Sequence, residues 1–171
     1  MNSNTVLPNG GLYVITPDDA DSESFLARVL PVLNGQIAVL QYRNKFANAE
    51  QMLEQASVLL EHCRKLGIIF IINDDIALAH HISADGVHLG EHDGEPEAAR
   101  SVLGAKAIIG VSCYNSLALA EKAASDGADY IAFGAVYASA TKPNARKAGL
   151  ELFSQAKPLN LPIVAIGGIS T

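Results

Sequence analysis

Tryptophan is absent from the 171 residues, and all aromatics together make up 6%. Ala, Ile, Leu and Val must therefore fill any core. Cysteine is scarce: Cys63 and Cys113 stand alone, without a CxxC or Cys/His ligand spacing. That excludes a disulfide framework and reads as free thiols in a cytoplasmic protein. Cations are outnumbered, 12 Lys+Arg against 18 Asp+Glu, for a net charge of −6. This argues against a broad nucleic-acid or anionic-membrane surface, while leaving room for a local basic pocket that holds a phosphate. No apolar run approaches the roughly 20 residues of a membrane span. Residues 1–11 are polar and lack the apolar stretch of a secretory signal. P-loop, nucleophile-elbow, HExxH and EF-hand patterns are missing, as is a GxGxxG after the first apolar run.

What remains is 49% hydrophobic and 18% charged, a globular composition at a length that fits one domain over 1–171. Short β-branched runs alternate with longer amphipathic segments. The strand-like runs are LYVIT at 12–16, IAVLQ at 37–41, 68–72, 86–89, 107–111, 129–134 and PIVAI at 162–166. Apolar residues spaced at threes and fours predict helices over 22–33 and 49–66. Shorter helices are expected at 75–82, 95–103, 115–126 and 149–156, with Pro96 harmless in a first turn and Gly127 ending the fifth. Such alternation implies right-handed βαβ crossovers and a parallel sheet, either an open doubly wound sheet or a closed (β/α)8 TIM barrel. Polar residues at the C-terminal ends of at least four strands favour the barrel. A barrel needs an eighth βα unit, and the seventh strand lies next to Thr171. The reading therefore expects one barrel domain, incomplete at its C-terminus, from a natural chain longer by roughly 30 residues.

The candidate chemistry lies at those strand ends. In QYRNK, alternation puts Gln41, Arg43 and Lys45 on one side, an amide and two cations that suit a phosphate. After the third strand, Asp74 is a candidate ligand for a hard cation such as Mg²⁺, which takes few protein ligands. Asp75 reads as a helix cap, and Asp93, in a later loop, offers a second carboxylate. Ser112 brings a hydroxyl to the mouth of the fifth strand. Ser139, Thr141 and Lys142 could clamp an anion, and Lys142, Arg146 and Lys147 could form a lid. Gly167 and Gly168 permit close backbone approach to a phosphate. His62, His80, His81 and His88 are read as structural or surface residues.

These motifs resemble the thiamine-phosphate synthase family. The matching pieces run in order: LYVIT, QYRNK, INDD at 72–75, ADGVHLGEHD at 84–93, GVS at 110–112, GADYIAFG at 127–134, TK at 141–142 and VAIGGI at 164–169. The resemblance implies a (β/α)8 barrel that joins a pyrimidine diphosphate to a thiazole phosphate and releases pyrophosphate. It implies Gln41, Arg43, Lys45, Asn73 and Lys142 as pyrimidine-diphosphate ligands, with Arg43, Lys45 and Lys142 serving catalysis. Asp74 and Asp93 are implied as Mg²⁺ ligands, and Ser112, Tyr130 and Thr141 as pocket residues. Gly167 or Gly168 is implied as the thiazole-phosphate backbone site. Two departures stand out: Glu91 replaces the family's usual Gln, and Ser139 a Thr, keeping its hydroxyl. A thiazole tautomerase of the same superfamily, or a barrel that binds a phosphorylated ligand without turnover, are the competing readings. Small-molecule substrates are expected, with no nucleic acid or membrane partner; homo-oligomerisation is left open.

Overall fold

The computed structural model describes residues 7–8, 10–34, 36–137 and 147–169. Strands and helices alternate along them: β1 (Leu12–Ile15), α1 (Ser22–Val29), β2 (Ile37–Tyr42), α2 (Ala49–Leu66), β3 (Ile69–Asn73), α3 (Ile76–Ile82), β4 (Gly86–Leu89), α4 (Pro96–Leu103), β5 (Ile108–Tyr114), α5 (Leu117–Ser125), β6 (Tyr130–Phe133), α6 (Glu151–Gln155) and β7 (Ile163–Ala165). The seven strands pair in parallel and lie in chain order. A doubly wound sheet would reverse order at a switch point, so this order selects the barrel. The sheet also curls. The Tyr13 hydroxyl on β1 lies 2.8 Å from that of Tyr130 on β6. Five strand spacings of about 4.8 Å would hold those strands far apart in a flat sheet. The seven strands thus form a nearly closed barrel.

Alternation divides the side chains into two layers. Leu40, Tyr42, Phe70, Ile72, Val87, Leu89 and Ile109 face outward into one core with α1 to α4. Cys113, Ile131 and Phe133 pack outward with Ala120 and Ala123 of α5 and Ala156. Val39, Ile71, Ile108 and Tyr130 point inward and close the barrel floor with Leu7. Two acidic residues brace the N-terminal rim. Asp85 accepts the Phe70 amide at 2.8 Å, and Asp129 accepts the Ile109 amide at 2.7 Å. Arg100 ties Asp129 to the carbonyls of Ala107 and Gly127. The aspartates of the ADG and ADY motifs are therefore structural, at the end of the barrel opposite the C-terminal ends of the strands.

The helix over 22–33 is shorter than expected: α1 stops at Val29 and a 3₁₀ turn, Leu30–Val32, follows. Pro31 removes an amide and crowds the preceding turn, which ends the α-helical ladder. Ser116 caps α5 through its hydroxyl, so that helix starts at Leu117. β5 runs on to Tyr114, beyond the expected end at 111, through a register shift between Ser112 and Tyr114. α2 follows the sequence closely. Asn48 and Gln51 form a reciprocal capping box, and Gly67 ends the helix at φ 69°.

Candidate active site

The loops after β2 and β3 form one cleft of about 340 Å³, lined by Arg43, Lys45, Met52, Asn73 and Asp74 among others. Its basic wall is held from the residues that follow β1. The Nη1 of Arg43 donates to both carboxylate oxygens of Asp18, at 2.8 and 3.0 Å, and the Lys45 amide donates to Asp18 at 2.7 Å. Burial works against the Asp18 charge, but the Lys45 amide and the Arg43 guanidinium overcome it and hold the carboxyl below its usual range. Thr16 adds a clasp: its hydroxyl donates to the Arg43 carbonyl and accepts from the Arg43 amide, both at 2.8 Å. Buried Asn44 donates to the Asp19 carbonyl at 2.7 Å and to Gln55 of α2 at 3.0 Å. The Arg43 and Lys45 backbones are thus fixed from two sides before any ligand arrives.

The acidic wall follows β3. Asp74 adopts a left-handed φ of 63°, and its amide donates to the His88 carbonyl at 2.8 Å. Its carboxyl lies within the influence of that of Asp93. Burial, then the Asp93 hydrogen bond and charge, push the Asp74 pKa upward, against the pull of Lys45 and Asn73. Asp93 is anchored by the Gly90 amide at 3.0 Å. Asp75 caps α3 by accepting the Leu78 amide at 2.8 Å, as the sequence suggested.

A third group lies inside the barrel below the mouth. Gln41 is 2% exposed and donates to the Tyr13 hydroxyl at 2.9 Å. Tyr13 contacts Tyr130, the Tyr130 hydroxyl lies 2.9 Å from His88 Nδ1, and His88 Nε2 lies 2.8 Å from Ser112 Oγ. Burial lowers the His88 pKa to about 4, outweighing the nearby Asp93 charge, so the ring is neutral. Tyr130 has no exposed surface, so within the described residues it lies beneath the cleft rather than along it. Gly167 and Gly168 follow β7 with φ of 90° and 67°. A Cβ on Gly167 would sit 2.6 Å from that of Ala135, so only glycine fits there. Ser139, Thr141, Lys142 and Arg146 lie outside the described residues.

The structure therefore gathers Arg43, Lys45, Asn73, Asp74 and Asp93 at one mouth, and places Gln41, Tyr130 and Ser112 in a hydrogen-bonded row next to it. The sequence reading did not find Asp18, Thr16, Asn44, Gln55 or Tyr13, nor a role for His88. TPDD, at the end of the first strand, carries the same positional signal as the other strand ends.

A family model described as thiamine monophosphate synthase matches residues 12–171. The thiamine-phosphate synthase of Azoarcus sp. (strain BH72) is 54% identical over 161 residues, covering 94% of this chain and 78% of that protein. That of Methylobacillus flagellatus is 52% identical, covering 99% and 81%. Among solved structures, a thiamine phosphate pyrophosphorylase from Pyrococcus furiosus superposes with a TM-score of 0.81 at 34% identity, over 95% of this chain and 77% of that one. With the parallel barrel and the strand-end cleft, these matches establish that the chain belongs to the thiamine monophosphate synthase family.

Proposed function

We propose that the chain is a transferase, thiamine-phosphate synthase, acting at the cleft where β2 and β3 end, on a barrel domain spanning 1–171. The observation that carries the reading is the convergence there of Arg43, Lys45, Asn73 and Asp74, in a chain about half identical to proteins named for that activity. The small-molecule substrates are 4-amino-2-methyl-5-hydroxymethylpyrimidine diphosphate and a thiazole phosphate. The carbon–oxygen bond between the pyrimidine methylene and the diphosphate breaks, and its electron pair leaves with pyrophosphate. The thiazole nitrogen then supplies the pair for the new carbon–nitrogen bond.

Arg43 and Lys45 stabilise the charge that accumulates on the departing diphosphate, and Lys142 is assigned the same work. Asn73 and Gln41 orient the diphosphate substrate, with Ser112, Ser139 and Thr141 as further polar contacts. The backbone at Gly167 and Gly168 receives the thiazole phosphate. The methylene cation is stabilised by the ring's own amino group, so no protein nucleophile is needed. The protein orients two reactants and keeps out the water that would capture the cation.

The two carboxyl groups of Asp74 and Asp93 fit a divalent metal. They are hard oxygen donors, and Asp93 is close enough to help raise the cost of ionising Asp74; Mg²⁺ commonly takes one or two carboxylates with phosphate and water completing its shell. Asp74 and Asp93 would hold it, and when bound it neutralises diphosphate charge as a Lewis acid.

The test supplies both substrates with and without Mg²⁺ and follows thiamine phosphate and pyrophosphate together. Metal-dependent product with matching pyrophosphate supports the reading. Absence of product from folded protein would shift it to the tautomerase or the binding protein, with Glu91 the first residue to revert.

A further inference from the structure

Five side chains from five different strands form one unbroken row: Gln41 of β2, Tyr13 of β1, Tyr130 of β6, His88 of β4 and Ser112 of β5. The reaction described above assigns no work to Tyr13 or His88. We infer that this row has a single direction, that it holds His88 in the Nε2–H tautomer, and that His88 thereby acts as a positioning residue, turning the Ser112 hydroxyl proton toward the ligand.

The direction follows from counting protons. Gln41 Nε2 can only donate, so the Tyr13 oxygen accepts. A phenol has one proton, and Tyr13 has the Tyr130 oxygen 2.8 Å away to receive it. Tyr130 then passes its own proton toward His88 Nδ1 at 2.9 Å. A neutral imidazole that accepts at Nδ1 carries its proton at Nε2, and this donates to Ser112 Oγ at 2.8 Å. The Ser112 oxygen, already accepting, is left with its proton to give outward. In the opposite direction Tyr13 would accept from both Gln41 and Tyr130, and its own proton would have no place in the row. Ser112 would then offer the ligand only lone pairs. A diphosphate oxygen is an acceptor, so only the first direction gives it a donor.

The barrel is built to permit the row. Gly110 is the register partner of both His88 and Tyr130. A Cβ there would fall 1.9 Å from the Tyr130 ring, so the missing side chain is the space in which that ring lies beside His88, with centroids 5.5 Å apart.

This inference rests on the diphosphate reading of the cleft, so its test separates the two. Ring nitrogens of ¹⁵N-histidine protein are read by long-range ¹H–¹⁵N correlation at about pH 7, with His88 assigned by its loss in His88→Gln. The expected signal is a protonated Nε2 and an unprotonated Nδ1. The reverse tautomer, or a ring protonated at both nitrogens, overturns the inference and leaves the synthase reading standing. Kinetics supply the second arm. Tyr130→Phe deletes the donor to Nδ1 without adding bulk, and should lower kcat roughly tenfold or more with KM changed by less than about threefold. Combined with Ser112→Ala, it should cost no more than Ser112→Ala alone. Independent, multiplying losses overturn the inference, because His88 would then not act through Ser112. Should wild-type protein show the expected tautomer but form no thiamine phosphate, the synthase reading fails and the catalytic part of this inference fails with it.

Discussion

Under the proposed function Arg43 carries two duties that pull in different directions. Its guanidinium is the natural fork for a diphosphate, and it is paired with Asp18. Arg43→Ala should weaken use of the diphosphate substrate at least tenfold, since a charge-assisted hydrogen bond contributes about 1.5–3 kcal/mol. Steady-state kinetics with that substrate varied would show it, and an unchanged kcat/KM would remove Arg43 from the site. Asp18→Asn addresses the other partner. A carboxylate held below its ordinary range contributes stability that is present above its unfolded value of about pH 4 and is lost as pH falls through the lower native value. Urea midpoints measured at descending pH should therefore fall more steeply below about pH 4 in wild-type protein than in Asp18→Asn. Superimposable acid limbs would mean that the pair contributes nothing. Cys63 and Cys113 make a third case: both are buried, and burial pushes each thiol up to about 12. At neutral pH a thiol reagent should label neither in the folded protein and both after denaturation. Rapid labelling of native protein would contradict the packing. Arg43, Lys45 and Asp74 were legible in the sequence because strand ends announce themselves; Asp93 was read as a loop carboxylate, and Asn73 came from the family resemblance. Asp18 was not named, although TPDD ends the first strand, because it meets Arg43 only through the register of β1 on β2.

Elements were legible wherever local chemistry decided them. Apolar spacing marked α2 over 49–66, the bounds that the Asn48 capping box and Gly67 set in the structure, and Asp75 was read as the α3 cap it is. Boundaries failed where a single residue overrode periodicity, as Pro31 does in α1, or where pairing extended a strand, as β6 does for β5. The inward face was the least legible. Tyr13 and Tyr130 are 117 residues apart, and only the closing of the sheet brings their hydroxyls together. This gives Gly110 a role as an element that the GVS motif does not disclose. Gly110→Ala should destabilise the barrel by about 1–3 kcal/mol, the usual cost of overpacking, because its methyl would enter the Tyr130 ring. Tyr130→Phe, which keeps the ring's packing, gives the comparison. Denaturant midpoints for the two would separate them: a Gly110→Ala protein as stable as wild type would show that the ring can move aside without cost.

At the scale of the whole molecule, alternation made a parallel sheet readable, and the polar residues at strand ends favoured the barrel whose chain-order strands the structure shows. Its consequence is that every strand end opens on the same side, so groups far apart in sequence share one electrostatic environment. That shared environment raises the cost of ionising Asp74. Asp74 is partly buried, close to Asp93, and held at a left-handed φ that asparagine tolerates well. A carboxyl whose native pKa is raised above its unfolded value destabilises the fold at neutral pH, and the penalty is relieved as pH falls through the native value. Asp74→Asn should therefore stabilise the ligand-free protein, on the order of 1 kcal/mol once solvent screening is allowed for. The same substitution should remove the metal response, a trade of stability for function. Linkage makes this measurable without turnover. Magnesium and pyrophosphate supplied together at about a hundred times their joint Kd should stabilise wild-type protein by about 2.7 kcal/mol, or roughly 5–10 °C in Tm for a chain of this size. Each alone should do much less, because each supplies the charge the other lacks. In Asp74→Asn the combination should do no more than pyrophosphate alone, starting from a higher Tm. A variant that begins less stable than wild type would refute the account of Asp74 as a strained, charged ligand. A variant that keeps the full joint shift would move the metal to other donors.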